Sequence, residues 1–216
     1  MSSDDVSAKA LCRDARRQAI LETAREVFLK EGFAAASMSA IATRVGGSKG
    51  TLYNYFDSKE TLFIAVIQDY CDRNQAEVFD FDLLSSDFPT GLRMLAERYV
   101  RLMLSDRVIA LNRLVIAEAV RFPEIGRTLY EAGIRRGLKR LGGYIQTAMD
   151  QGDLATADAA LAAEQLIELC VGGGYRLRLQ NVAPEPSTAE VQAKVDTALL
   201  TFMQVYGPAR PAEIAA

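Results

Sequence analysis

The 216-residue chain is 50% hydrophobic and 25% charged, a balance that fits one large or two small globular domains with a substantial core and excludes a disordered tail. It contains no histidine, which removes the usual general base and the commonest nitrogen metal ligand. Its three cysteines, Cys12, Cys71 and Cys170, are too scattered to suggest a ligand cluster or a disulfide framework. The formal net charge of −3 conceals a division, since residues 9–59 carry nine Lys or Arg against five Asp or Glu and residues 60–216 carry sixteen against twenty-one.

A small basic module ahead of a larger acidic one points to a polyanion-facing head, with a solvated charged face as the plainer reading. The amino terminus, MSSDDVSAKALCRDARR, lacks the basic, apolar and small-residue succession of a secretory signal, and no run of 18 uncharged apolar residues occurs. A cytoplasmic protein with no metal and no cofactor is expected, and an enzyme is not. From Asp14 to Lys30, Ile20, Ala24, Val27 and Phe28 recur on one helical face, and Gly32 with Phe33 reads as the stop. Ser37 is placed to cap a second helix whose apolar face is Met38, Ile41, Ala42 and Val45, ended by Gly46 and Gly47. Ser48 is placed to cap a third, Lys49 to Phe56, with Leu52 and Phe56 on one side. Two short helices around a glycine turn, braced by a longer one, form a helix-turn-helix.

That arrangement suits duplex recognition. Helix amino termini and the hydroxyls of Ser39 and Ser48 can meet phosphate, Lys49 and Lys59 supply positive charge, and Thr51, Tyr53 and Tyr55 supply hydroxyl and apolar surface. Gly50 has no side chain to keep the backbone from the groove. The alternative reading packs Tyr53 and Tyr55 internally and makes Gly46-Gly47 a simple turn.

The stretch Gly32 to Lys59, and above all SKGTLYNYFDSKE from Ser48 to Glu60, resembles the DNA-binding domain of the TetR family of bacterial transcriptional regulators. The resemblance implies DNA contacts from Ser39 and Thr43 of the second helix, Lys49, Gly50, Thr51, Tyr53 and Tyr55 of the third, and Lys59. Lys49 and Gly50 would approach base edges, and Thr51, Tyr55 and Lys59 would fix the backbone. One departure stands out: the family usually has a branched apolar residue just before Ser-Lys-Gly, and this chain has Gly47. The loss leaves less core between the two helices, with Val45 available to fill part of the volume.

The remaining chain reads as helical throughout, so an all-α fold is expected, with a DNA-binding domain over 1–59 and a ligand-binding and dimerisation domain over 60–216. Asp57-Ser-Lys-Glu60 reads as a capping-box start to a fourth helix that continues toward Phe79. A break is expected over Phe81 to Pro89, then helices over about 89–104, 106–121 and 123–150, and a final pair over about 156–181 and 187–206. The Gly172-Gly173-Gly174 run inside that pair calls for a close helix seam, a pocket lining or a break.

In the family the last two helices commonly pair with those of a second subunit, so the resemblance implies a homodimer on a palindromic double-stranded operator. The segment Asn112 to Gly133 resembles the carboxy-terminal domain of AefR-like regulators, which implies a small-molecule cavity in the body. Candidate lining residues are Met94, Tyr99, Met103, Leu114, Glu118, Phe122, Tyr144 and Tyr175, with ordinary core as the competing role for the Met and aromatic positions. Glu118 amid LVIAEAV either faces a cationic ligand or is satisfied by Arg113 or Arg121. The expected function is a repressor released from its operator by a small molecule; the alternative is a dimeric DNA-binding regulator without sensing.

Overall fold

The computed structural model describes residues 3–80 and 87–208, and every regular element among them is helical. In chain order these are α1 (Ser3–Ala35), α2 (Met38–Val45), α3 (Lys49–Tyr53), α4 (Lys59–Phe79), α5 (Phe88–Met103), α6 (Asp106–Ala119) and α7 (Pro123–Leu129). A π-helical turn, Tyr130–Arg135, leads into α8 (Arg136–Gln151), followed by α9 (Ala159–Leu179) and α10 (Thr188–Tyr206). The described residues gather into two compact units, one from residues up to 73 with 110–132, the other from 74–109 with those from 133 onward.

In the first unit, Ile20, Leu21, Ala24, Val27 and Phe28 of α1 are buried together with Ile41, Leu52, Leu62, Phe63, Val66 and Ile67. The centre is aromatic: Phe28 lies 4.8 Å from Phe63 and 5.7 Å from Phe33, and Phe33 lies 5.1 Å from Phe63 and 5.3 Å, edge-on, from Phe122, centroid to centroid. Such pairs add to the burial of the rings themselves. Phe33 reaches this cluster because Gly32, at φ 79 and ψ 162, breaks the regular path of α1 one residue earlier.

The second unit packs α9 against α8 and α10, with α5 against both α9 and α10. Its core takes Leu92, Leu95, Ala96 and Val100 from α5, Leu141, Ile145 and Ala148 from α8, Leu166 and Cys170 from α9, and Val195 and Phe202 from α10. A Cβ at Gly142 would lie 3.6 Å from the Ala159 carbonyl, so α8 approaches the start of α9 closely.

Two helix starts show how capping sets boundaries. Asp87 accepts from the Thr90 N–H at 2.8 Å to open α5. This bond holds the Asp87 carboxyl below the ordinary range. Ser187 and Glu190 complete a capping box at α10, as the STAE pattern predicts.

Elsewhere the boundaries move. Ser58, rather than Asp57, opens α4: its Oγ accepts from the Thr61 N–H, and Thr61 Oγ1 accepts from the Ser58 N–H. The third helix stops at Tyr53 because Tyr55 and Phe56 turn back to donate to the Leu52 carbonyl. The single helix expected over 123–150 is divided by the π turn, which leaves the Gly133 carbonyl to accept from Gln75 Nε2 at 3.0 Å. Most of the break expected over Phe81 to Pro89 lies outside the described residues. The three glycines at 172–174 do not break α9: a Cβ at Gly174 would lie 3.2 Å from Lys194 Nζ and 3.4 Å from Leu104 Cδ1, whereas one at Gly173 would meet open space.

The buried Arg178 fastens this unit's loops. Its Nε donates to the Leu104 carbonyl at 2.9 Å, Nη1 donates to the Ala183 carbonyl at 3.0 Å, and Nη2 pairs with Asp106. Removing the guanidinium leaves carbonyls of two loops without their donor. Arg178→Met is expected to lower stability by about 2–3 kcal/mol, seen as a drop of roughly 5–10 °C in the thermal midpoint of the purified protein.

Candidate nucleic-acid interface

The segment from Ser37 to Phe56 is built from short-range rules. Ser37 opens α2 by accepting from the Ala40 N–H at 3.1 Å. Met38, Ile41 and Ala42 face inward, leaving Ser39 and Thr43 exposed, with Thr43 Oγ1 donating to the Ser39 carbonyl at 3.0 Å. Gly46, at φ 73, then turns the chain left-handed. Its N–H donates to the Thr43 carbonyl at 3.1 Å, and the Gly47 N–H donates to the Ala42 carbonyl at 3.0 Å, the paired closure of a Schellman motif.

Ser48 starts α3 one residue later, accepting from the Thr51 N–H at 3.0 Å and sharing a 2.9 Å hydroxyl contact with Thr51 Oγ1. Leu52 and Phe56 are buried, which leaves Lys49, Gly50 and Tyr53 exposed on the opposite side, with Thr51 and Tyr55 half-buried. Lys49 Nζ sits 5.7 Å from the Tyr53 ring centroid, and the guanidinium of Arg13 sits 5.9 Å from that of Tyr55. A Cβ at Gly50 would meet only Ser48 Oγ, at 3.7 Å, so the exposed edge of α3 is open to close approach.

Lys59 is engaged differently from the other candidates. Its ammonium donates to the carbonyls of Phe33, Ala34 and Ala36 at 2.7, 3.2 and 3.0 Å and lies 4.5 Å from the Phe33 ring centroid. An ammonium has three protons, and all three are directed at the end of α1. The resemblance implies a DNA-backbone contact for Lys59; in the structure its ammonium ties α4 to the segment just before α2.

Three arginines of α1 were not singled out from the sequence. Arg13 lies over Tyr55 and Arg17 over Phe56, the latter at 5.4 Å, while Arg16 Nη2 donates to the Gly46 carbonyl at 3.2 Å. The available signal was their spacing in RDARRQAI, which places Arg13, Arg16 and Arg17 on the helical face that continues into the buried Ile20.

The body candidates divide. Leu114, Glu118 and Phe122 belong to the first unit, and Met94, Tyr99, Met103, Tyr144 and Tyr175 to the second. Leu114, Glu118 and Met103 are half-buried and Met94 is exposed. Phe122 is an aromatic partner of Phe33, and Tyr144 stacks 5.5 Å from Phe88 while donating to its carbonyl at 3.4 Å, so both hold structural contacts. Tyr99 comes within electrostatic reach of Cys170, Glu168 and Tyr175. Loss of hydration pushes both phenols above their ordinary range and the Cys170 thiol up to about 12, so the three are neutral near pH 7. Gln75 adds a group unnoticed in the sequence: its buried Oε1 has no hydrogen-bond partner among the described residues.

A model of the AefR-like transcriptional repressor C-terminal domain matches residues 90–208, more than half the chain, and a model of the tetR family of bacterial regulatory proteins matches residues 20–66. The chain belongs to the TetR family. As a TetR-family regulator it is a DNA-binding protein rather than an enzyme. The transcriptional activator FasR of Mycolicibacterium smegmatis is 48% identical over 62 residues, 29% of this chain and 28% of that one. The transcriptional repressor NicS of Pseudomonas putida is 38% identical over 78 residues, 36% of this chain and 37% of that one. These matches thus span well under half of the curated relatives' length.

Solved structures match more widely. A TetR-family regulator from Mesorhizobium loti MAFF303099 is 29% identical with a TM-score of 0.84, covering 90% of this chain and 98% of that one. The flavonoid-responsive regulator FrrA is 29% identical with a TM-score of 0.78, covering 91% and 100%. No helix among the described residues is long and apolar enough to cross a membrane.

The three carbonyls held by Lys59 make its removal a test of this framework. Lys59→Met is expected to destabilise the protein by about 1–3 kcal/mol, lowering the thermal midpoint by roughly 2–10 °C; an unchanged midpoint would show that the ammonium is dispensable to the head's fold.

Proposed function

We propose that the protein is a homodimeric repressor that binds a palindromic operator through α2 and α3 and is released from it by a small molecule bound in its body. The observation that carries the reading is the exposed edge of α3, where Lys49, Gly50 and Tyr53 face outward on a helix pinned from behind by Leu52 and Phe56. An open glycine flanked by a cation and a phenol suits a duplex groove better than it suits a core position. Ser39 and Thr43 of α2, with Ser48, Thr51 and Tyr55, are assigned to the phosphate backbone. Lys59 is assigned to holding the helices that do so. In this division residues 1–59 read DNA and residues 60–216 sense ligand and dimerise.

Pairing is supported by the outward faces of the last two helices. Leu161, Leu169 and Leu177 of α9 and Leu200 and Val205 of α10 remain between 43% and 64% exposed, and Gly173 lies between Leu169 and Leu177 with no side chain of its own. A second copy of the same helices would cover this apolar surface.

Sensing is supported by the wide likeness to FrrA and by the neutral groups Tyr99, Tyr175 and Cys170, with the orphaned Gln75 acceptor as another polar group in the same unit. Repression is favoured because the AefR-like repressor model matches the body, whereas the activator FasR matches only a 62-residue stretch. A ligand that prefers the DNA-released conformation tenfold contributes about 1.4 kcal/mol to release.

Selection from a randomised duplex library by the purified protein tests this reading. The expected product is a palindrome whose binding weakens steeply with salt, and no enrichment by folded protein would contradict it.

A further inference from the structure

The turn between α2 and α3 lacks a part that its geometry ordinarily carries. In a Schellman motif the residue after the left-handed one is frequently apolar and packs back over the last helical turn. Gly47 occupies that place and has nothing to pack. What remains beside it is a small open depression of about 10 Å³, bordered by Arg16, Ala42, Val45, Gly47 and Thr51.

The atom nearest the missing side chain comes from 31 positions earlier in the sequence. A Cβ on Gly47 would lie 3.0 Å from Arg16 Nη2, the same atom that donates to the Gly46 carbonyl at 3.2 Å. The backbone does not require glycine here: positive φ belongs to Gly46, and Gly47 has an ordinary φ. A side chain at 47 would make the guanidinium give by at least a few tenths of an ångström, because its Cβ alone would lie 3.0 Å from Nη2.

We infer that Arg16 and Gly47 form one unit that positions the recognition helix, the guanidinium standing where a branched side chain would otherwise set the spacing between α2 and α3. Arg16 is therefore a positioning residue, acting on α3 through the Gly46 carbonyl. The inference rests on the reading of α3 as the DNA-reading element.

The test is a double-mutant cycle of Arg16→Ala, Gly47→Val and the combined variant, all in the full chain. Thermal midpoint is measured without DNA, and affinity is measured for the duplex recovered by selection and for a scrambled duplex. Each single change is expected to lower the ratio of selected to scrambled affinity by about fivefold or more, and the combined variant is expected to regain most of that loss because valine fills the vacated hollow. The valine should also raise the thermal midpoint by at least about 2 °C more in the Arg16→Ala background than in the wild type.

The slope of log affinity against log salt should not change on removing Arg16; a slope smaller by about 1 per protomer would make Arg16 a direct phosphate contact and overturn its positioning role. Additive effects on both midpoint and affinity would overturn the inference as well. A wild type that binds no duplex would overturn the DNA reading instead, and the thermal cycle alone would then decide whether 16 and 47 are coupled.

Discussion

A helix of five residues does not persist in water. Nucleation fixes several dihedral angles for the first hydrogen bond, and α3, Lys49–Tyr53, gains too few further bonds to offset that cost. Its shape is therefore imposed from outside, and the exposed Lys49, Gly50 and Tyr53 are only as well placed as the contacts behind them. Those contacts are few and specific: the left-handed Gly46, the Ser48 cap, the burial of Leu52 and Phe56, and Arg16 on the turn. Behind these lies the Phe28, Phe33 and Phe63 cluster, which fixes α1 against α4, and Lys59, which ties the start of α4 to the end of α1. The head thus concentrates its rigidity behind the surface proposed to meet DNA.

This dependence explains what the sequence disclosed. The all-α class, the two caps Ser37 and Ser48, the Gly46 turn and the inward Ile41, Leu52 and Phe56 follow from spacing over three or four residues, and all appear as expected. The spacing in RDARRQAI places Arg16 on the inward side of α1 but does not disclose its acceptor, which lies 30 positions away. The hold of Lys59 on the end of α1 is not legible in the sequence either, since its three acceptors are backbone carbonyls, which any residue supplies. The π turn at Tyr130–Arg135 has no compositional signature, so the segment reads as an uninterrupted helix. Among the body candidates, Phe122 and Tyr144 illustrate the ambiguity of aromatic residues at helical spacing, since each has a ring partner in the core.

The body differs in character from the head. Its core is mostly aliphatic, drawn from four packed helices, and its polar exceptions serve different ends. Arg178 is fully engaged with loop carbonyls and Asp106, which is how a buried cation is accommodated. Tyr99, Tyr175 and Cys170 are instead kept neutral by their burial, with Glu168 within electrostatic reach of Tyr99. α4 contributes residues to both units.

The outward edge of α3 is proposed to read DNA while the residues behind it hold the fold. The most direct test is the affinity of a Lys49→Ala, Tyr53→Ala double variant for the duplex selected by the wild type, with the thermal midpoint measured on the same preparation. Affinity is expected to fall by about 100-fold or more with a midpoint within about 2 °C of the wild type, because both side chains point away from the core. Unchanged affinity in a folded variant would contradict it.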